Sequence, residues 1–166
     1  MIHDATSDYL AGLESRLAAD GCAPRQDNWG GAPVLVGRRS DFRLRWLATN
    51  LHLFTIAAAV PYVATETIAV FTGQCLQYAR ENKGGLPVGL QTGVAVFPVL
   101  VSERVDPAAL AWARERQRNE FACFARPVVV DSSKGEVAVF RGKPLIGRGY
   151  AGHLTRKGDA YLGQRG

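Results

Sequence analysis

Four arginines, Arg38, Arg39, Arg43 and Arg45, fall within eight residues, with Asp41 and Trp46 set among them. Guanidinium groups stay charged and present planar donor forks that match carboxylate or phosphate oxygens. Their clustering therefore points to recognition of an anion. From Phe42 to Ala48 the pattern is that of a half-buried strand, with Phe42, Leu44 and Trp46 on one face and Arg43 and Arg45 on the other. Arg43 and Arg45 would then converge on one ligand, and Asp41 would orient a guanidinium by pairing with it. The plainer reading of the same residues is a solvated strand face whose charges pair with one another.

His52 follows on the next strand. A hairpin closed at Thr49-Asn50 would set it beside Leu47 or Ala48, a few residues from Arg45. An imidazole there can serve as general base or ligand group, or as a half-buried structural histidine. Glu66 lies one turn into the following helix, where a carboxylate also suits the helix dipole. His52 with Glu66 is the acid–base pair on offer. No GxSxG, HExxH or P-loop occurs. Lys83-Gly84-Gly85 follows a helix rather than opening one, so it makes a poor phosphate cradle. Ser132-Ser133 beside Asp131 reads as turn chemistry, and His3 and His153 have no expected role. No cofactor or metal is expected.

The chain that must position these residues has 166 residues, 47% of them hydrophobic, and a net charge of +5 from 20 Lys+Arg against 15 Asp+Glu. Arginine supplies 16 of those cations and lysine 4. A domain of this size buries roughly 68–70% of its unfolded surface. The length excludes a two-domain enzyme or a full (β/α)₈ barrel, and the composition excludes collagen-like, disordered or disulfide-dense chains. Cys22, Cys75 and Cys123 are odd in number and far apart, which argues against disulfides and structural zinc. Cys75 and Cys123 read as core, Cys22 as the exposed thiol. The N-terminus lacks the basic and apolar regions of a signal peptide. The long apolar stretch 51–71 is broken by His52, Pro61, Glu66 and threonines, so strand then helix fits it better than a membrane span. A soluble cytoplasmic protein is expected.

Along the chain, residues 5–20 read as a helix capped by Thr6 or Ser7, and 22–32 as a polar loop in which Trp29 must cover something apolar. Short strands at 33–36, 42–48 and 51–58 form an antiparallel meander, with a polar turn at 37–41. Pro61 opens a helix whose stripe is Ala64, Ile68, Phe71, Cys75 and Ala79. The apolar run 93–101 reads as a strand covered on both faces, with Pro98 implying a bulge or an edge. Asp106-Pro107 starts a helix to about Asn119, strands follow at 127–130 and 136–140, and a weak helix interrupted by Gly158 spans 151–162. The strands near 97 and 129 should be parallel through a right-handed crossover. The expected fold is a single α+β domain: a mixed β-sheet, meander plus β-α-β crossover and hairpin, packed with about three helices, with 1–4 and 163–166 as loose ends.

The α-β-β-β-α-β order over roughly residues 5–101 resembles the core of restriction-endonuclease-like nucleases. That resemblance implies a carboxylate on the second strand, then an acidic residue and a lysine two apart on the third. The second strand offers Asp41, and the third offers His52 and Thr55. The stretches GRRSDFRLRWLATNLHLF, KGGLPVGLQTGVAVFPVLVSERVDP and RPVVVDSSKGEV resemble a family of short bacterial proteins without an established function, some of which bear the name levansucrase. A propeller glycosidase with paired carboxylates does not fit this length, so the resemblance implies a family and no activity.

Three functions follow. The first is a non-catalytic binding or assembly domain that recognises an anionic small molecule or acidic protein partner through the arginine-rich strand. A sheet edge or apolar helix face would let it form a homodimer. The second is a small cofactor-independent enzyme acting on an anionic metabolite through His52 and Glu66. The third is a degenerate nuclease-like fold that binds nucleic acid, disfavoured by the modest charge and sparse aromatic residues.

Overall fold

The computed structural model describes residues 4–43, 49–83, 92–115, 117–120, 123–141 and 148–163. The first helix, α1 (Ala5–Ala19), is capped by Asp4 rather than Thr6 or Ser7: its carboxylate accepts the Ser7 N–H at 2.7 Å. Gly21 leaves the helix at a φ of 79°, a conformation that favours glycine.

The segment expected as a loop holds a strand. β1 (Arg25–Trp29) turns at Gly30-Gly31 into β2 (Ala32–Arg43), and both turn glycines have positive φ, 62° and 92°. β2 then runs unbroken through residues 37–41, where a turn was expected. Gly37 stands in it because α1 presses on the strand: a Cβ there would lie 2.9 Å from Leu17 Cδ1. Leu17 is itself fully buried and has little room to yield. Gly37→Ala should cost about 1–3 kcal/mol in urea denaturation through this overpacking, and an unchanged midpoint would refute the close approach.

β3 (Thr49–Ala59) pairs antiparallel with β2, Ser40 facing His52 and Arg43 facing Thr49. Pro61 does not open a helix. α2 (Thr65–Asn82) begins after Ala64, whose N–H donates to Thr67 Oγ1 at 3.2 Å. It buries Ile68, Phe71, Cys75 and Ala79, the stripe read from periodicity.

β4 (Thr92–Ser102) lies parallel to β3 along its whole length. Asp106 accepts the Ala108 N–H at 2.9 Å and starts α3 (Pro107–Glu115). That helix stops short of Asn119 because the chain enters a short strand, β5 (Arg118–Glu120), antiparallel to β6 (Cys123–Ala125). β7 (Val128–Asp131), β8 (Glu136–Ala138) and α4 (Arg148–Leu162) complete the order. α4 continues through Gly158, where a Cβ would sit at an ordinary contact distance, 3.5 Å, from Phe97 Cζ.

The sheet order is β1-β2-β3-β4-β6-β5, with β7 also on β4 and β8 on β7. β6 and β7 run parallel to β4 in one continuous register, so they are one strand interrupted at Arg126-Pro127. Pro98 therefore needs neither bulge nor edge. It pairs with Ile56 on one side and lies level with Pro127 on the other, where neither residue has an N–H to give.

Helices cover both faces. α2 and α3 pack on Val94, Val96 and Leu100 of β4, while α1 and α4 pack on Ala95, Phe97, Val99 and Val101. The strict alternation along β4 explains its unbroken apolar run. This is one α+β domain with a mixed sheet between two helical layers. No described helix is long and apolar enough to cross a membrane.

Candidate anion-binding cleft

Because β2 is one continuous strand, its pleat sends adjacent arginines to opposite layers. Arg39 and Asp41 face α1 and α4, and Arg38 and Ser40 face α2. The cluster is thus two sites.

Arg39 is neutralised. It donates to both carboxylate oxygens of Asp41, Nε to Oδ2 at 2.8 Å and Nη2 to Oδ1 at 3.0 Å, and its Nη1 donates to the Asp20 carbonyl at 2.7 Å. Asp20 Oδ2 lies 3.3 Å from Arg39 Nη1. Lys157 Nζ donates to both Asp20 oxygens at 3.0 and 2.8 Å, and the Tyr161 hydroxyl donates to Oδ2 at 2.5 Å. His153 Nε2 stands 3.3 Å from Asp41 Oδ2. His153, Lys157 and Tyr161 recur every fourth residue of α4 and so share one face of it.

Burial alone would raise both carboxyls, but their partners outweigh it. Arg39 holds Asp41 below the usual carboxylate range, helped by His153 and Lys157, and Lys157, Tyr161 and Arg39 do the same for Asp20. Burial, then the bond to Asp20, drives the Tyr161 hydroxyl upward. Cys22, expected to be exposed, is 2% accessible, with its Sγ 3.5 Å from the Tyr161 hydroxyl. Cys75 and Cys123 are core residues as expected.

On the other face, Arg38 reaches the C-terminal end of α2. Its Nη1 donates to the Asn82 carbonyl at 2.7 Å and its Nη2 to the Lys83 carbonyl, where the helix dipole favours a cation. The guanidinium lies 5.2 Å from the centre of the Phe54 ring. Its Nη2 also donates to His52 Nδ1 at 3.3 Å, which leaves the imidazole proton on Nε2. Burial, then the charges of Arg38 and Lys83, lower the His52 pKa and keep the ring neutral near pH 7.

Arg25 on β1 donates to the Tyr78 hydroxyl of α2. With Arg38, Ser40, Phe54, Tyr78 and Asn82 it lines a cleft of about 590 Å³. No acidic side chain is among the described residues lining it. Asp27, the nearest carboxylate along β1, accepts the Trp29 indole N–H at 3.2 Å and the Asn28 N–H at 2.9 Å.

The remaining sequence candidates are placed as follows. His52 faces Ser40 rather than Leu47 or Ala48, because the strand that carries it pairs with residues 35–43. Glu66 sits in the first turn of α2, whereas His52 contacts the arginine that caps its last turn. The sixteen helical steps from Glu66 to Asn82 rise roughly 24 Å, so the acid–base pair is not brought together. Asp41 and His52 lie on opposite faces of the sheet, so they do not converge on a shared metal either. Among the described residues no group of three His, Cys, Asp or Glu side chains could hold a metal ion. Arg43 is at the end of β2, opposite Thr49, and Arg45 and Trp46 lie outside the described residues.

Sequence reading missed Arg25 and Tyr78. The composition of residues 22–32 reads as a loop, and the signal for a strand carrying Arg25 alongside α2 is Gly30-Gly31, which closes the β1–β2 hairpin. No protein-family model, no curated protein and no solved structure matches this chain.

Proposed function

We propose that this protein is a non-catalytic binding module for an anionic small molecule, held between Arg25 and Arg38 in the cleft at the C-terminal end of α2. The observation that carries the reading is the pairing of two guanidiniums in a concave site without an acidic wall, while neighbouring Arg39 is spent on Asp41 and Asp20. A cation fixed by its own scaffold receives an anion with little reorganisation, and Arg38 is fixed by two helix carbonyls and the Phe54 ring. Tyr78 and Asn82 add hydrogen-bonding groups to the same wall. A cleft of about 590 Å³ suits a small molecule better than a protein surface. Three reduced, buried cysteines suit a cytoplasmic setting.

The test is calorimetric titration with inorganic phosphate, sulfate and citrate. Arg25 is exposed and its side chain bonds to Tyr78 at the surface, so Arg25→Gln should leave the melting temperature unchanged. It should weaken the best anion by about tenfold to a hundredfold. Arg38→Lys, which keeps charge but loses the fork, should weaken it as well. Anion affinity undiminished in both variants would end the proposal.

A further inference from the structure

A second cavity lies beside the cationic cleft. It sits between α2 and the β1–β2–β3 surface, nearer the helix N-terminus, has a volume of about 470 Å³ and is lined mainly by apolar groups such as Val34, Ala58, Val70, Phe71 and Leu100. One face of β2 serves both cavities, Val34 in the apolar one and Val36 and Arg38 in the cationic one. Successive turns of α2 do the same, Val70, Phe71 and Gln74 first, then Tyr78 and Asn82.

Trp29 stands at the divide. Its ring centre is 6.0 Å from Phe71 on the apolar side and 5.2 Å from Tyr78 on the cationic side. Val70 is 62% exposed, so an apolar wall of the second cavity is open to solvent. Among the lining side chains Arg25 and Arg38 stand at one end and Glu66 at the other, while the Asp27 carboxylate at the divide is held by the Trp29 indole.

We propose that the two cavities together bind an anionic amphiphile, a long-chain carboxylate or alkyl phosphate. Its acidic headgroup lies between Arg25 and Arg38, and its chain passes over Trp29 into the apolar cavity. The proposal rests on the reading of the cleft as an anion site and adds the class of ligand. Glu66 at the far end repels a second acid and fixes the direction of the chain. From Val70 to Asn82 the helix rises about 18 Å, a span that suits a lauryl to palmityl chain.

The test compares inorganic phosphate, butyl phosphate, dodecyl phosphate below its micelle-forming concentration, and neutral dodecanol, titrated calorimetrically into the full chain. Dodecyl phosphate should bind at least tenfold tighter than butyl phosphate, because each methylene leaving water contributes to affinity. Val70→Glu, at an exposed helix position, should abolish that chain-length gain and leave inorganic phosphate unaffected. Arg25→Gln should weaken every phosphate ligand by a similar factor. If inorganic phosphate binds and chain length adds nothing, the amphiphile falls and the anion site stands. If dodecanol equals dodecyl phosphate and Arg25→Gln changes nothing, the headgroup assignment falls with the anion site. If none of the four binds, both readings fall.

Discussion

Arg39→Met should destabilise the protein by about 2–3 kcal/mol at pH 7, lowering its melting temperature by roughly 4–12 °C. Arg39 is the cation between two carboxylates, and Asp41, at 13% accessibility, has little water to replace it. The estimate sits at or below the range for breaking fully buried pairs because the Arg39 side chain is 32% exposed. Methionine keeps most of the stem's packing, so the loss reports the charge.

The pH dependence has a definite sign. Asp20 and Asp41 are held below their unfolded values in the native protein. Their contribution is therefore complete above the unfolded carboxylate pKa of about 3.9 and is lost as pH falls through the lower folded values. Removing Arg39 takes the leading support from Asp41, while Lys157 and Tyr161 still hold Asp20. The stability gap between wild type and variant should be widest at neutral pH and shrink below about pH 4. Urea denaturation at pH 7 and pH 3 measures both values. A gap of equal size at the two pH values, or none at pH 7, would show that Arg39 acts only by packing.

What sequence alone made legible follows the same physics. β4, the α2 stripe and the start of α3 were readable because each obeys a local rule: two-sided burial, helical period, Asp-Pro capping. β2 was not, because Gly37 followed by Arg38, Arg39, Ser40 and Asp41 has the composition of a turn. Only the fully buried Leu17, twenty residues earlier, gives that glycine its reason. Once the strand was cut there, alternation could not be carried through it, and the division of Arg38 from Arg39 between two layers was lost. Nothing in the sequence around His153 gives it a role, yet with Lys157 and Tyr161 it faces Asp41 and Asp20. Their spacing was visible, but nothing local announces a partner 137 residues away.

Phe97→Ala should be the most damaging single core change, at about 3–5 kcal/mol. Phe97 is 1% accessible on the central strand, and Tyr161 meets it edge-on with ring centres 6.5 Å apart. On the same side the α4 backbone passes over the ring at Gly158 with room for a methyl group, a Cβ there lying 3.5 Å from Phe97 Cζ. Removing the ring leaves a void beneath a helix that cannot settle freely into it, because Lys157 and Tyr161 are tied to Asp20. The penalty should therefore keep its cavity component rather than relax it away. Gly158→Ala separates these contributions. In the wild type its methyl would find ordinary contact distance to Phe97, and alanine gains about 0.5–1 kcal/mol over glycine inside a helix. Beside Phe97→Ala the same methyl points into the void, so the gain should be larger than in the wild type. A double-mutant cycle measured by urea denaturation reads the difference directly. Strict additivity of the two changes would mean that α4 does not rest on Phe97.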